Sequence, residues 1–414
     1  MIYAFTAIFV ITQILVPRRF ALFPIIFAVF LTTQAQVLPN LTILRILLLV
    51  QLFKLTLRSN LDYRLQGRID KYLLILSIII LVSAIGHSFE YGNPYYYRLR
   101  VAFDLLAVYL ISKSTITSKG DFIFFCKTCA FAVIPLGLGL IIERLSGSNV
   151  FNLIGAPDTA LLRNDILRAR GPFGTPILAG TSIALVTPAL VFIKNLHSKL
   201  SYSSMAVGGL GIYSTGSSTP IASLLLAVLA MLLWNYRKYT KQVILGAIFA
   251  IMFLQLFRER PVWYLMALPD FVGGSTGWHR AYLIDTAITH FSEWWLWGTD
   301  YTRHWMPYGL SAIPQHCDLT NYYIHIGVTA GFGATLLLVL IIFSAFKSIY
   351  QTFHSSLYLD TSSQFLIWIT GTMLFTHTIT FLTISYFDQT YALFMITLGA
   401  CSKITTPSFL NQDS

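Results

Sequence analysis

Hydrophobic positions along this chain form continuous runs of helix length, and the pattern breaks once on a large scale. The runs lie near 1–16, 20–37, 41–57, 72–89, 99–112, 121–143, 177–193, 202–214, 220–236, 242–257, 320–346, 364–382 and 388–403. Arg258 to Leu319 form one long polar interruption between the tenth and the eleventh. A helix needs about 20 apolar residues to cross a bilayer core, and lipid admits only helices and closed barrels. Continuous apolar runs point to helices, since barrel strands alternate. The pattern predicts an all-α fold, a polytopic transmembrane helical bundle over residues 1–414, with the large loop 258–319 inside it. The expected number of helices is about 12–13, because Gly208, Gly209 and Gly211 weaken the run 202–214. Residues 1–16 lack a basic n-region and a small-residue cleavage site, so they read as a retained helix.

Composition agrees with this class. The chain is 56% hydrophobic and 11% charged, against about 25% charged residues in soluble domains, and its mean hydropathy is +0.68. Orientation follows from the basic residues, because cytoplasmic loops carry the excess of Lys and Arg. One set of alternate loops, which includes Lys194, Lys199, Arg237, Lys238 and Lys241, holds 16 of the 28 basic residues. The opposite set holds 10, and Arg45 and Lys127 fall inside spans. The first set is expected in the cytoplasm, which puts loop 258–319 and segment 146–176 outside. The basic stretch 54–71 then fits a cytoplasmic loop against anionic lipid, with no indication of nucleic acid.

The charges change the picture more by type than by number. All ten outside basic residues are Arg. A guanidinium presents a rigid fork of donors that matches phosphate or carboxylate oxygens in pairs. An anion site at the outer face is one reading, and Arg paired with acids or snorkelling to headgroups is the other. Segment 146–176 runs Arg163, Asn164, Asp165, Ile166, Leu167, Arg168, Ala169, Arg170, Gly171, Pro172, Phe173, Gly174, Thr175, Pro176 into the apolar run at Ile177. Helix N-termini offer free N–H groups and a positive dipole end to anions, although Gly and Pro also punctuate ordinary helix starts.

Taken in order, several motifs carry a resemblance to a known family. They are Arg-Gly-Pro-Phe-Gly-Thr-Pro-Ile-Leu-Ala-Gly at 170–180, Gly-Ser-Ser-Thr-Pro at 216–220, the large loop, and Asn321-Tyr322-Tyr323 opening a Gly-containing helix. Over roughly residues 40–400 this order resembles the O-antigen ligase and O-antigen polymerase superfamily, bacterial membrane glycosyltransferases of the cell envelope. The resemblance implies a multi-pass protein of the cytoplasmic membrane with an external active site. It also implies transfer of a glycan from undecaprenyl diphosphate to an acceptor hydroxyl, with inversion, no metal and no cofactor. Arg170 matches the family's Arg before its Gly-x-Phe-x-x-Pro stretch, and Arg280 matches the Arg opening the large loop. Both are implied to hold the diphosphate, with Arg168, Arg303, Trp305 and Asn321 as further substrate-binding candidates. The family's loop commonly ends in His-Asn, and here Thr320 precedes Asn321.

Thr320 cannot act as a base at neutral pH, which leaves three candidates for the catalytic role. His316 stands just before the expected position, and His304 lies in Arg303-His304-Trp305 beside an indole that could stack on a sugar. Asp318 is nearest in sequence and could act as carboxylates do in inverting glycosidases. Imidazole titrates near neutrality and suits the role. Each of the three also reads as a solvated or hydrogen-bonded loop residue.

Other signals have a plainer reading beside the functional one. Trp278, Trp294, Trp295, Trp297 and Trp305 read either as an interfacial belt, with 279–297 an amphipathic helix on the membrane, or as platforms for glycan rings. His279, His304 and His316 lack regular metal-ligand spacing, so no metal is assigned. Cys126 and Cys129 have redox-motif spacing but lie in an apolar run, and Cys317 reads as a free thiol. Gly327 and Gly331 fit small-residue helix packing. Two other functions remain open. A lipid-linked glycan transporter would use intramembrane charges such as Arg45, Asp104 and Lys127, though the chain has no visible repeat. An inactive scaffold working with other polysaccharide assembly proteins would explain Thr320.

Overall fold

A computed structural model describes residues 2–406 and 409, apart from 164, 269–270, 272–276, 307–313 and 356–359. The chain is mostly helical. The thirteen apolar runs appear as fourteen α-helices, because the run 320–346 is broken. They are α1 (Ile2–Leu15), α2 (Leu22–Leu31), α3 (Ile43–Leu57), α4 (Arg68–Ser83), α5 (Pro94–Thr115), α6 (Lys119–Ser146) and α7 (Pro176–Phe192). After these come α8 (Ser198–Ser214), α9 (Ser218–Leu232) and α10 (Thr240–Phe257). The loop contributes α11 (Gly277–Thr289) and α12 (Phe291–Trp294), and the chain closes with α13 (Tyr322–Ala330), α14 (Phe332–Ser355), α15 (Thr361–Thr380) and α16 (Tyr391–Ile404).

Local chemistry sets many of these boundaries. Asn93 caps α5 by accepting from the N–H groups of Tyr95 and Tyr96, with Pro94 in the first turn, where its missing N–H costs nothing. Ser118 and Asp121 form a capping box on α6, which ends at Gly147 with φ +77°. The glycines that weakened the run 202–214 serve helix packing. A Cβ on Gly211 would lie 2.9 Å from Gly137 Cα, so α8 rests directly on α6. Around the deeply buried α7 stand α6, α8, α9 and α15.

Among the described residues, five helical stretches are long and apolar enough to cross a membrane. They are Arg68–Gly86, Lys119–Ser146, Pro176–Asn195, Ser218–Phe257 and Phe332–Ser355. No residue of α10 is buried, so an entire apolar helix stands outside the protein core.

The break at Gly331 corrects the reading of that glycine as small-residue helix packing. Its φ is +88°, and a Cβ there would lie 2.2 Å from the Leu296 carbonyl oxygen, so the chain bends where the loop backbone touches it. Gly327 does serve close packing, because a Cβ on it would meet the Trp294 ring at 2.5 Å. Thr299 N–H donates to the Val328 carbonyl at 2.9 Å and Phe332 N–H to the Trp295 carbonyl at 2.8 Å. The described residues of the polar interruption thus pack against α13. The two share a small core of Leu283, Ala287, Trp294, Trp305, Met306, Cys317, Ile324 and Val328.

Two short hairpins were not expected from the sequence. One pairs β1 (Gln36–Leu38) with β2 (Leu41–Thr42). The other pairs β3 (Leu161–Arg163) with β4 (Ile166–Arg168), setting Arg163 opposite Ile166 and Leu161 opposite Arg168. Asp165 takes φ +56° in the second turn, a conformation Asp tolerates better than most residues.

Candidate functional site

The site is assembled from three parts that are distant in sequence: the β3–β4 hairpin, the start of α11, and the irregular stretch before α13. Arg168, at the end of β4, donates through Nη2 to Ser217 Oγ at 2.6 Å and through Nε to the Thr215 carbonyl at 3.3 Å. Gly216 has φ +53°, and a Cβ there would meet Arg168 Cγ at 3.1 Å and Arg144 Nη1 at 3.6 Å. The Gly-Ser-Ser-Thr-Pro motif is therefore the floor on which these two arginines lie. Only glycine fits that close approach with that backbone conformation.

Arg280, in the first turn of α11, is buried. Its electrostatic neighbours are Asp318, Arg163 and Arg168. Burial is the main cause that lowers its pKa to about 10, and the two other guanidiniums lower it further against the opposing effect of Asp318. Its Nε–H finds no acceptor among the described residues, and the same holds for Arg144 Nη1 and Arg170 Nε. Buried polar groups in folded proteins are nearly always satisfied, so three unanswered guanidinium donors in this region are a strong local signal.

Arg170 is arranged differently from Arg280. The buried Glu143 accepts from the backbone N–H groups of Arg170 and Gly171 at 3.1 and 2.8 Å, which fixes the loop ahead of α7. The Arg170 side chain donates to the Thr159 carbonyl at 3.0 Å. Thr175 caps α7 through its side chain, and both Thr175 and Ile177 reach the adjoining cavity.

That cavity has a volume of about 1140 Å³ and is lined in part by Arg45, Arg98, Arg100, Asp300, His316, Asp318, Thr320 and His325. Asp318 presents its surface to the cavity while protein crowds its other sides. This partial loss of water raises its carboxyl pKa, opposed by His279 and Arg280. His279 hydrogen-bonds the Asp318 main chain, and burial lowers its pKa. His316 Nδ1 lies 3.1 Å from Thr302 Oγ1, and burial lowers its pKa too, against the effect of Asp300. Both His316 and Asp318 are thus biased toward forms that help proton transfer. Burial disfavours the charged imidazole, and it makes the carboxylate more basic than in water.

His304 and Trp305 belong elsewhere. Trp305 is buried, donates to Glu293 Oε2 at 2.9 Å, and stacks on His290 at 5.7 Å between ring centroids. No indole face is left there for a sugar. His304 Nε2 lies 3.0 Å from Glu293 Oε2, and His290 Nδ1 lies 2.6 Å from Glu293 Oε1. Desolvation raises the Glu293 pKa, but hydrogen bonds from Trp305, His304 and His290 outweigh it and bring the value to about 2. The sequence assigned no metal here because it weighed His279, His304 and His316. The structure instead gathers His290, Glu293 and His304, a set able to hold an ion.

Asn321 works as a cap. Its Oδ1 accepts from Ile324 N–H and its Nδ2 donates to the Leu382 carbonyl, both at 3.2 Å. Arg303 sits in the turn Arg303–Trp305, its N–H donating to the Gln315 carbonyl at 3.0 Å. The predicted amphipathic helix 279–297 is interrupted at His290, and of its Trp residues Trp294 is buried while Trp295 and Trp297 are exposed. Cys317 is a free thiol but is buried, as are Cys126, Cys129 and Cys401.

Sequence reasoning missed three polar residues of the cavity wall. Arg98 counted only as one of the outside arginines. Its Nε donates to Ser83 Oγ and its Nη2 to the Thr329 carbonyl, both at 3.0 Å. Asp300 holds His87 Nδ1 at 2.5 Å and accepts from Ser88 N–H at 2.7 Å. His325 lies one helical turn beyond Asn321, and that spacing was the available signal. In comparison with known proteins, the chain matches no family model and no curated protein.

Proposed function

We propose that the protein is a membrane glycosyltransferase of the ligase or polymerase type. It moves a glycan from undecaprenyl diphosphate to an acceptor hydroxyl at the outer face of the bacterial cytoplasmic membrane. The observation that carries this reading is the buried Arg280, whose Nε–H lacks an acceptor among the described residues and whose neighbours include two further arginines. Burying a cation beside others costs stability unless an anion answers it. A lipid diphosphate supplies that anion. Asp318, beside Arg280 and on the cavity wall, accepts the acceptor proton as the hydroxyl oxygen attacks the anomeric carbon. The bond to the diphosphate breaks with its electron pair, and Arg280 and Arg168 hold the charge that develops on the leaving group.

The membrane setting is supported by the five apolar helical stretches and by α10, none of whose residues is buried. The outward placement of the loop rests on the 16-to-10 asymmetry of basic residues. The test is lipid-linked glycan analysis in a deletion strain complemented with wild type, Arg280→Lys or Asp318→Asn. Wild type should restore the glycan, and the two variants should insert normally yet accumulate the lipid-linked precursor. Full complementation by both variants would end this reading and favour the scaffold.

A further inference from the structure

Apart from the arginine cluster, the loop holds a second group of chemistry-bearing side chains that the proposed transfer does not use. His290 follows α11, Glu293 lies in α12, and His304 lies in the turn Arg303–Trp305. We propose that His290 Nδ1, His304 Nε2 and the Glu293 carboxylate bind one divalent transition-metal ion of the zinc type, with a fourth position open to water.

The ligand atoms of the three residues all lie within 4.8 Å of one another. Zinc bonds of about 2.0–2.2 Å to His nitrogen and carboxylate oxygen need only small rotations from there. Two imidazoles and one carboxylate favour zinc and its neighbours over magnesium or calcium, which prefer oxygen ligands alone. The surrounding residues orient the ligands. Trp305 Nε1 donates to Glu293 Oε2 at 2.9 Å and so fixes the carboxylate. The His290 ring lies flat on Trp305, and the His304 ring lies flat on Tyr301 at 5.5 Å. Outer-shell partners of this kind commonly position metal ligands.

The three side chains are 28%, 34% and 42% exposed, which leaves an ion a route in and room for a water ligand. Among the described residues, no Lys or Arg forms an ion pair with Glu293, which is engaged by His290, His304 and Trp305. An ion here would tie the α11–α12 corner to the Arg303–Trp305 turn and brace the loop. This inference does not depend on glycosyl transfer, since the ion takes no part in that chemistry.

The test uses the untagged full-length protein in detergent, stripped with a chelator and titrated with zinc by calorimetry and with cobalt by visible absorption. One equivalent should bind, with cobalt giving the intense bands of a tetrahedral site. Glu293→Gln keeps an acceptor for Trp305, and it should weaken binding at least about tenfold while helical content stays unchanged. His304→Ala should do the same. Absence of binding to the wild type, or wild-type affinity in both variants, would overturn the proposal and leave only a hydrogen-bonded cluster.

Discussion

Two buried cationic groups of this protein, Lys113 and Arg280, have opposite surroundings. Lys113, near the end of α5, donates to Asp70 Oδ1 at 2.8 Å and to the Arg64 carbonyl at 2.7 Å. Asp70 in turn accepts from Tyr109 at 2.6 Å, and Asp62 bonds Lys403 nearby. Lys113 and Lys403 thus each have a carboxylate there. Arg280 has two arginines and one carboxylate as electrostatic neighbours, and one of its donors is unanswered. Charge that is paired on site belongs to the architecture, whereas Arg280, left with one donor unanswered beside other cations, is where we propose that an anionic ligand binds. The fork of Arg45 on Asp104, at 2.7–3.1 Å, falls on the architectural side, which weakens its use as a transport site.

The largest effect expected from this contrast is on chemistry. Asp318→Asn should lower glycan transfer by about 10²–10⁴-fold, the usual cost of losing a general base, with insertion unchanged. His304→Ala, whose imidazole is engaged by Glu293, should retain most of the transfer activity. The reverse ranking, read from transfer rates in proteoliposomes, would move the base to the other half of the loop.

Stability should separate the two cations in opposite directions. Lys113→Met strands the Asp70 carboxylate in the interior, and breaking a buried pair in this way typically costs about 3–5 kcal/mol. Arg280→Met removes a buried charge that lacks full compensation, so its melting temperature should equal or exceed that of the wild type. A lower melting temperature for Arg280→Met than for Lys113→Met would erase the distinction. Arg280→Lys is the gentler variant, since it keeps the charge but loses the fork. It should weaken diphosphate binding by the worth of a charged hydrogen bond, about 1.5–3 kcal/mol.

The smallest expected effect concerns pH. Glu293 has a folded-state pKa of about 2, below the ordinary carboxyl value of about 4.3. A depressed carboxyl pKa stabilises the fold above the unfolded value, and that contribution is lost as pH falls from there toward the folded one. The wild type should therefore lose stability between about pH 4.3 and pH 2, and Glu293→Gln should flatten that part of the profile. Identical acid profiles for the two proteins would contradict the assigned network.

Much of the architecture was legible in the sequence because apolar run length is a direct physical requirement for burial or insertion. The thirteen runs reappear as helices, and the one split, at Gly331, depends on a loop backbone that lies far away in sequence. The site was legible in part. Arg280 and Asp318 stood out by type and position, and the motifs at 163–176 and 216–220 do meet at Gly216. Asn321 and Trp305 looked like substrate contacts because residue type does not reveal that one caps α13 and the other hydrogen-bonds Glu293. His290 and Glu293 were passed over because their partner, His304, comes from a separate turn. Ser311, a natural labelling position for topology, lies outside the described residues. Thr289→Cys is an exposed substitute, expected to react with an impermeant thiol reagent in intact cells.

The most direct test of the central claim is binding of undecaprenyl diphosphate to the purified protein, by native mass spectrometry or fluorescence quenching, for wild type, Arg280→Met and Lys113→Met. The account predicts that the wild type binds, that Arg280→Met binds at least about tenfold more weakly while remaining folded, and that whatever Lys113→Met remains folded binds as the wild type does. Equal affinity in the wild type and Arg280→Met would contradict it, because the unpaired arginine would then have no anion to hold.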